Sequence, residues 1–74
     1  MAIYKNLNGD SNIVEFHIDP NSIEITFRNG EIYGYTDESV GNTFLNEMIR
    51  LALRGYGLNG FLNTTIKNKH AYKK

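Results

Sequence analysis

The chain has 74 residues, of which 41% are hydrophobic, and this length fits one small domain with a marginal core. It has no cysteine, which excludes disulfides and thiolate metal sites, and no apolar run reaches the roughly 20 residues of a membrane span. The formal net charge is zero, but eight acidic and two basic residues precede position 50, whereas six basic and no acidic residues follow position 49. Such a chain can present a basic surface to an acidic partner or fold its basic end onto its own acidic part.

The first predicted strand covers residues 13–18, where apolar and polar side chains alternate as in a half-buried strand. Residues 19–22 form the predicted turn after it, because Pro20 suits the first central position of a turn. A loop of these four residues places Ile18 opposite Ile23 in a second strand.

The second predicted hairpin is centred on Asn29-Gly30, a pair that favours a two-residue type I′ turn. This loop length places Thr26 opposite Tyr33 and puts Tyr35 on the same polar face of the sheet. Ile13 is expected on that polar face as well. The other face is predicted to be apolar and to carry Val14, Phe16, Ile18, Ile23, Ile25, Phe27, Ile32 and Gly34.

A period of 3.6 replaces the period of two after position 39, which predicts one amphipathic helix. Asp37 or Ser39 is expected to cap its start, and Gly55 suits the position after its end. Packing this helix on the apolar sheet face gives an α+β domain, a three- to four-stranded antiparallel meander with one helix on one face. The helix stripe comprises Val40, Phe44, Leu45, Met48, Ile49, Leu51 and Ala52.

The C-terminal part of the chain is less periodic. Ile66, His70 and Tyr72 alternate as a short closing strand would, and a loose tail is the alternative. We therefore expect one domain over residues 1–74, with a core at about 11–66 and a basic segment at 67–74. Because residues 55–60 match G-x-G-x-x-G after a helix and not before one, they indicate a helix cap and a tight turn back to the sheet.

Two groups of residues are candidates for binding, and each has a structural alternative. Tyr33 and Tyr35 would stack bases if they are exposed, or pack beneath the C-terminal segment if they are not. The basic group, which would hold phosphate, comprises Arg54, Lys67, Lys69, Lys73 and Lys74, with Tyr72 as a further stacking ring. The alternatives for the basic segment are a solvated terminus or a tail that pairs with the acidic sheet face.

Catalysis has little support in the sequence. No nucleophile, base and orienting acid stand at a known spacing, and no set of spaced metal ligands is present. We expect a protein that is not an enzyme and needs no metal or cofactor. The first residues do not resemble a signal peptide, and we expect a cytoplasmic location without membrane association.

Four stretches together resemble the KTSC domain, a family named for its place at the C-terminus of some lysyl-tRNA synthetases and also found as small bacterial proteins. They are Ser11-Asn12-Ile13, Phe27-Arg28-Asn29-Gly30, Tyr33-Gly34-Tyr35 and Phe61-Leu62-Asn63, the last followed by Ile66-Lys67 and Tyr72. The Val-Pro that often leads into the family's helix is missing, which indicates a divergent member. The resemblance implies that Tyr33, Tyr35, Asn63 and Lys67 are hallmark residues of the family. The association with synthetases suggests RNA as the ligand.

These observations predict a small non-catalytic module that binds RNA through its basic C-terminal segment and exposed tyrosines. The alternative is a module for protein–protein contact or homodimer formation, motivated by the acidic sheet face and the basic end. A phage-like or mobile-element accessory protein with an unidentified partner is a third possibility.

Overall fold

The computed structural model describes residues 2–7, 9, 12–63 and 70–74. It confirms the predicted α+β class, with one main helix packed on an antiparallel sheet of five strands in the order β1-β2-β3-β4-β5. The strands are β1 (Ala2–Ile3), β2 (Ile13–Asp19), β3 (Ser22–Phe27), β4 (Ile32–Thr36) and β5 (Tyr72–Lys73). The helices are α1 (Asp37–Val40), α2 (Asn42–Arg54) and α3 (Leu58–Phe61).

The β3–β4 hairpin forms as predicted, but its register differs by one residue. Ile25 pairs with Tyr33 and Ile23 with Tyr35, so three residues, 28–30, form the loop. The Phe27 amide donates to the Glu31 carbonyl at 2.8 Å, and Gly30 has a φ of 92° in the left-handed region. This is a three-residue hairpin loop with a glycine bulge, the next most common alternative to the two-residue type I′ loop.

The register change moves both tyrosines to the other face of the sheet. Tyr33 and Tyr35 lie on the apolar face with Ile23 and Ile25, and Gly34 lies on the polar face opposite Glu24. The prediction that the two tyrosines project from the polar face is therefore wrong. The Ile18–Ile23 pairing of the preceding hairpin is confirmed.

A bulge in β2 corrects a second assignment. The pairing of β2 with β3 shifts between Ile13 and Glu15, so Ile13 stands opposite Phe27. Ile13 is buried in the core and Val14 is only half-buried, which reverses the prediction for these two residues. A single inserted residue has this effect because side chains alternate with a period of two.

The helical region begins one residue before the predicted caps and contains a break. Thr36 caps α1, since its hydroxyl accepts from the Ser39 amide at 3.1 Å and its own amide donates to the Ser39 hydroxyl at 3.0 Å. Gly41 separates α1 from α2. Gly55 ends α2 in the left-handed conformation as predicted, but the chain continues into α3 instead of turning directly back to the sheet.

The core lies between the sheet and the helices. It includes Tyr4, a residue that precedes the predicted core segment, and the Tyr4 hydroxyl accepts a hydrogen bond from the buried Leu58 amide at 3.3 Å. The buried members are Tyr4, Ile13, Phe16, Ile23, Ile25, Tyr35, Leu45, Met48, Leu51, Ala52, Leu58 and Leu62. This arrangement leaves the helices on one face of the sheet and brings the loop of the β3–β4 hairpin close to α3.

Candidate binding pocket

A pocket of about 510 Å³ opens where the β3–β4 hairpin approaches α3 and the C-terminal residues. We call it the aromatic–asparagine pocket, because its lining combines aromatic rings with asparagine side chains. The lining residues are Asn12, Phe27, Arg28, Asn29, Glu31, Tyr33, Tyr35, Asn59, Leu62, Asn63 and His70. Its volume falls within the roughly 300–1,000 Å³ that is typical of ligand sites.

The two predicted tyrosines occupy different positions in this pocket. Tyr35 is 1% exposed, and burial raises the pKa of its hydroxyl to about 12. Tyr33 is half-buried, and its ring packs edge-to-face against Phe27 with centroids 5.4 Å apart. The expectation of two exposed rings is therefore wrong for Tyr35, which belongs to the core, whereas Tyr33 presents part of its ring to the pocket.

Tyr72 lies on the opposite face of the sheet from the pocket. It pairs with Gly34, its ring lies over that glycine, and its hydroxyl donates to the Glu24 carboxylate. This hydrogen bond lowers the pKa of Glu24, which the Lys74 ammonium lowers further, and raises the pKa of Tyr72 to about 12. Tyr72 is thus a structural contact between β5 and the rest of the sheet.

Lys73 and Lys74 form ion pairs within the chain. Lys73 pairs with Glu31, and Lys74 Nζ lies 2.9 Å from the Glu24 carboxylate. These contacts, together with the Tyr72–Glu24 hydrogen bond, form what we call the C-terminal clasp. The two described lysines at the C-terminus therefore fold onto acidic residues of the same chain, one of the alternatives that the separated charges predicted, but these carboxylates lie on different faces of the sheet.

The remaining candidates divide between the pocket and other places. Asn63 is exposed and lines the pocket. Arg54 lies elsewhere, with its guanidinium carbon 3.9 Å from the centre of the Tyr56 ring. Lys67 and Lys69 lie outside the described residues, and their role in binding remains a prediction.

Several pocket residues were not singled out as binding residues from the sequence. They are Asn12, Arg28, Asn29, Asn59 and His70. The sequence pattern explains Asn29 as a turn residue, and it places His70 in the predicted closing strand and in the basic C-terminal segment. Their common position depends on the hairpin register and on α3, and no local spacing in the sequence indicates it.

His70 contacts both pocket tyrosines. Its ring centroid lies 4.7 Å from that of Tyr33 and 6.3 Å from that of Tyr35, in both cases close to perpendicular. Its Nδ1 atom is buried and has no hydrogen-bond partner among the residues that the structure describes. The chain is anchored beside it, because the Ala71 amide donates to the Gly34 carbonyl at 2.7 Å.

The described residues offer neither a metal site nor a membrane-spanning helix. They contain no cluster of three or more His, Asp or Glu side chains placed to hold a metal ion. None of the described helices has the length and apolar character needed to cross a membrane.

No family model, curated protein or solved structure gives a significant match to this chain. The resemblance to the KTSC domain accordingly stays a prediction from the sequence.

Proposed function

We propose that this domain is a non-catalytic module that binds single-stranded RNA and takes up one base in the aromatic–asparagine pocket. The observation that carries the proposal is the convergence of the half-buried Tyr33 ring, several asparagine amides and Arg28 on one cavity of about 510 Å³. Splayed bases of single strands are commonly held by aromatic rings and by hydrogen bonds to their edges.

The side chains around the pocket match the chemistry of a nucleotide. Tyr33 offers a partly exposed ring for stacking, and base–aromatic stacking is worth about 1–3 kcal/mol per base. Asn59 and Asn63 each carry an amide with two donor hydrogens and an acceptor oxygen, so they suit the mixed donor and acceptor pattern of a base edge. The Asn29 amide is engaged with Glu31, since its Nδ2 donates to the Glu31 carboxylate at 2.8 Å and its Oδ1 accepts from the Glu31 amide at 3.0 Å. Arg28 is exposed at the same opening and supplies a cation for the adjoining phosphate.

The proposed binding surface is the pocket, and it differs from the basic C-terminal segment that the sequence suggested. Lys73 and Lys74 are paired with Glu31 and Glu24, and Tyr72 donates to Glu24. A phosphate at these lysines would have to replace existing carboxylate partners, whereas Asn59 and Asn63 line the pocket and take no part in the C-terminal clasp. The clasp borders the pocket, because Glu31 lines it and Lys73 Nζ lies 5.4 Å from the centre of the Tyr33 ring. Binding is proposed in place of catalysis because stacking and hydrogen bonding are what the lining groups are suited to.

A matched pair of tyrosine variants tests this proposal. Tyr33→Ala removes the pocket ring, and Tyr56→Ala removes a tyrosine that stacks on Arg54 and does not line the pocket. Fluorescence anisotropy of labelled single-stranded RNA should show about a 10-fold or greater loss of affinity for Tyr33→Ala and less than about a 2-fold change for Tyr56→Ala. Equal affinities for the two variants, with both folded by circular dichroism, would contradict the pocket as the RNA site.

A second candidate function, self-association, is favoured by a different observation. Leu7 and Leu53 are 63% and 59% exposed, and Tyr56 is 38% exposed. Leu7 and Tyr56 both adjoin Gly55, since the Leu7 amide donates to the Gly55 carbonyl at 2.7 Å. Exposed apolar side chains that lie together mark contact surfaces.

Light scattering coupled to size exclusion distinguishes self-association from a monomer. If this surface forms a dimer, the wild-type protein should elute at twice the monomer mass and Leu7→Gln should elute as a monomer. A wild-type monomer at about 100 μM would exclude a dimer of useful affinity.

A further inference from the structure

We infer that Tyr72 is a positioning residue for the aromatic–asparagine pocket, because it holds one wall of the pocket in place from the opposite face of the sheet. The wall is formed by residues 70–74, which we call the C-terminal strap. This inference rests on the proposed function, and it adds that a bound base and the docking of the C-terminal strap on β4 stabilise each other.

Two side chains of the C-terminal strap adjoin the proposed stacking ring. His70 lines the pocket, and its ring centroid lies 4.7 Å from that of Tyr33. Lys73 stands opposite Tyr33 in the pairing of β5 with β4, and its ammonium lies 5.4 Å from the centre of the Tyr33 ring. Lys73 also pairs with Glu31, which lines the pocket. If the strap left β4, the pocket would therefore lose the His70 side chain, and Tyr33 would lie at an open edge of the sheet.

The backbone pairing of the C-terminal strap is short, since β5 has two residues. The Ala71 amide donates to the Gly34 carbonyl at 2.7 Å. The Lys74 amide donates to the Ile32 carbonyl at the same distance. Chain ends with so few pairing residues open locally at little cost in free energy. Side-chain contacts must therefore supply much of the free energy that keeps the strap on the sheet.

Tyr72 supplies such contacts without touching the pocket. Its ring lies over Gly34, and its hydroxyl donates to the Glu24 carboxylate, which also pairs with Lys74. A hydrogen bond to a charged carboxylate is stronger than one between neutral groups. Because Tyr72 does not line the pocket and carries no charge, its hydroxyl can affect a ligand there only through the position of the C-terminal strap. A wall that is held before the ligand arrives favours binding, since little further ordering is needed.

The affinity test compares two substitutions that each remove one tyrosine hydroxyl. Tyr72→Phe keeps the ring over Gly34, whereas Tyr56→Phe changes a tyrosine that stacks on Arg54 and does not line the pocket. The apparent dissociation constant rises as the fraction of molecules with a docked strap falls. Tyr72→Phe should therefore bind labelled single-stranded RNA of mixed sequence about 3- to 10-fold more weakly than the wild-type protein, and Tyr56→Phe should bind within about 2-fold of the wild-type affinity.

Amide hydrogen exchange of the wild-type protein measures the same coupling in the other direction. A ligand that needs the docked strap suppresses its opening, so RNA at about ten times its dissociation constant should slow exchange of the Ala71 and Lys74 amides about 10-fold. The Leu7 amide is the internal control, because it is hydrogen-bonded away from the pocket and should exchange at an unchanged rate.

The two measurements separate the inference from the proposed function. RNA binding with unchanged exchange of the Ala71 and Lys74 amides, or with equal affinities for the two tyrosine variants, would overturn the inference and leave the proposed function intact. An absence of RNA binding by the wild-type protein would overturn both.

Discussion

Tyr33 and Tyr35 are two residues apart on one strand and face the same side of the sheet, yet their surroundings differ. Tyr35 is 1% exposed within the core, and burial raises the pKa of its hydroxyl to about 12. Tyr33 lies nearer the hairpin loop, where Phe27, His70 and the Lys73 ammonium adjoin its ring and leave part of it exposed. We therefore propose that Tyr35 stabilises the fold and that Tyr33 contacts the bound base.

This assignment predicts different costs for the two alanine variants. Removing a large buried aromatic ring costs about 3–5 kcal/mol, which is about the whole net stability of a domain of this size. Tyr35→Ala should therefore be unfolded at room temperature, whereas Tyr33→Ala should remain folded with a loss of about 1–2 kcal/mol. Urea denaturation followed by circular dichroism measures both, and similar stabilities for the two variants would show that the register is not the one described.

Gly34 provides a second prediction at the level of one residue. A Cβ at this position would overlap the ring of Tyr72, so Gly34→Ala should displace that ring and weaken its hydrogen bond to Glu24. The expected cost is about 1 kcal/mol, since a single exposed hydrogen bond is lost and the core is unchanged.

The measurement for Gly34→Ala is the nuclear Overhauser contact between the Tyr72 ring and residue 34, combined with thermal unfolding. Gly60→Ala is the matched control, because a Cβ there would have no side chain of the described residues within 4 Å. Absence of this contact in the wild-type protein, or equal unfolding temperatures for Gly34→Ala and Gly60→Ala, would show that the Tyr72 ring does not lie over Gly34.

The elements show which features local sequence patterns predict well. The 3.6 period identified the helix stripe, since Leu45, Met48, Leu51 and Ala52 are its buried residues. The alternating strands were also identified, together with the Ile18–Ile23 register. These features depend on side-chain periodicity, which is repeated over several residues and is therefore robust.

The sequence-based predictions are wrong where one added residue changes the pairing of two strands. Asn29-Gly30 suits a two-residue loop, but the observed loop has three residues, and one added residue transfers each following side chain to the other face. The bulge beside Ile13 has the same effect on β2. The pocket could not be predicted, because it joins Asn12, the hairpin loop and α3, which only the tertiary fold brings together.

The C-terminal clasp gives β5 a predicted dependence on pH. The Tyr72 hydroxyl and the Lys74 ammonium hold the pKa of Glu24 below its usual value of 4.5, and Lys73 does the same for Glu31. A carboxyl group whose pKa is lowered by folding stabilises the folded state above its unfolded pKa, and this contribution is lost as the pH falls through the folded pKa. The clasp should therefore be closed near neutral pH and should open below about pH 4.

The contact between the Tyr72 ring and Gly34 reports this opening in an NMR titration from about pH 7 to about pH 3. The amide introduced by Glu24→Gln cannot ionise, so this variant should lose most of the pH-dependent change in the contact between Tyr72 and Gly34. A contact that persists unchanged to the acid limit in the wild-type protein would show that the carboxylates do not hold β5.

At the scale of the whole molecule, the separation of charge along the chain does not become a separation in space at the described C-terminus. Lys73 and Lys74 lie against Glu31 and Glu24, so their charges are largely compensated. Arg50 is paired with Glu47 on α2 in the same way. Exposed pairs of this kind contribute only about 0–1 kcal/mol each, and their main effect here is to reduce the positive field available to an anionic ligand.

The pocket account and the basic-tail account differ in how many phosphates the protein neutralises. Four lysines on a single strand give a log–log dependence of affinity on salt with a slope near about −2.8, whereas Arg28 alone gives about −0.7. Arg28→Gln should abolish most of this slope, and Arg50→Gln, which removes the same charge outside the pocket, should leave it unchanged.

The salt dependence of single-stranded RNA affinity is therefore the most direct test of base binding in the aromatic–asparagine pocket. It should be measured for the wild-type protein, Arg28→Gln and Arg50→Gln. Base binding in the pocket should give a shallow slope of about −0.7 that disappears only in Arg28→Gln. A slope near about −2.8 that Arg28→Gln leaves unchanged would contradict it and place RNA on the basic C-terminal segment instead.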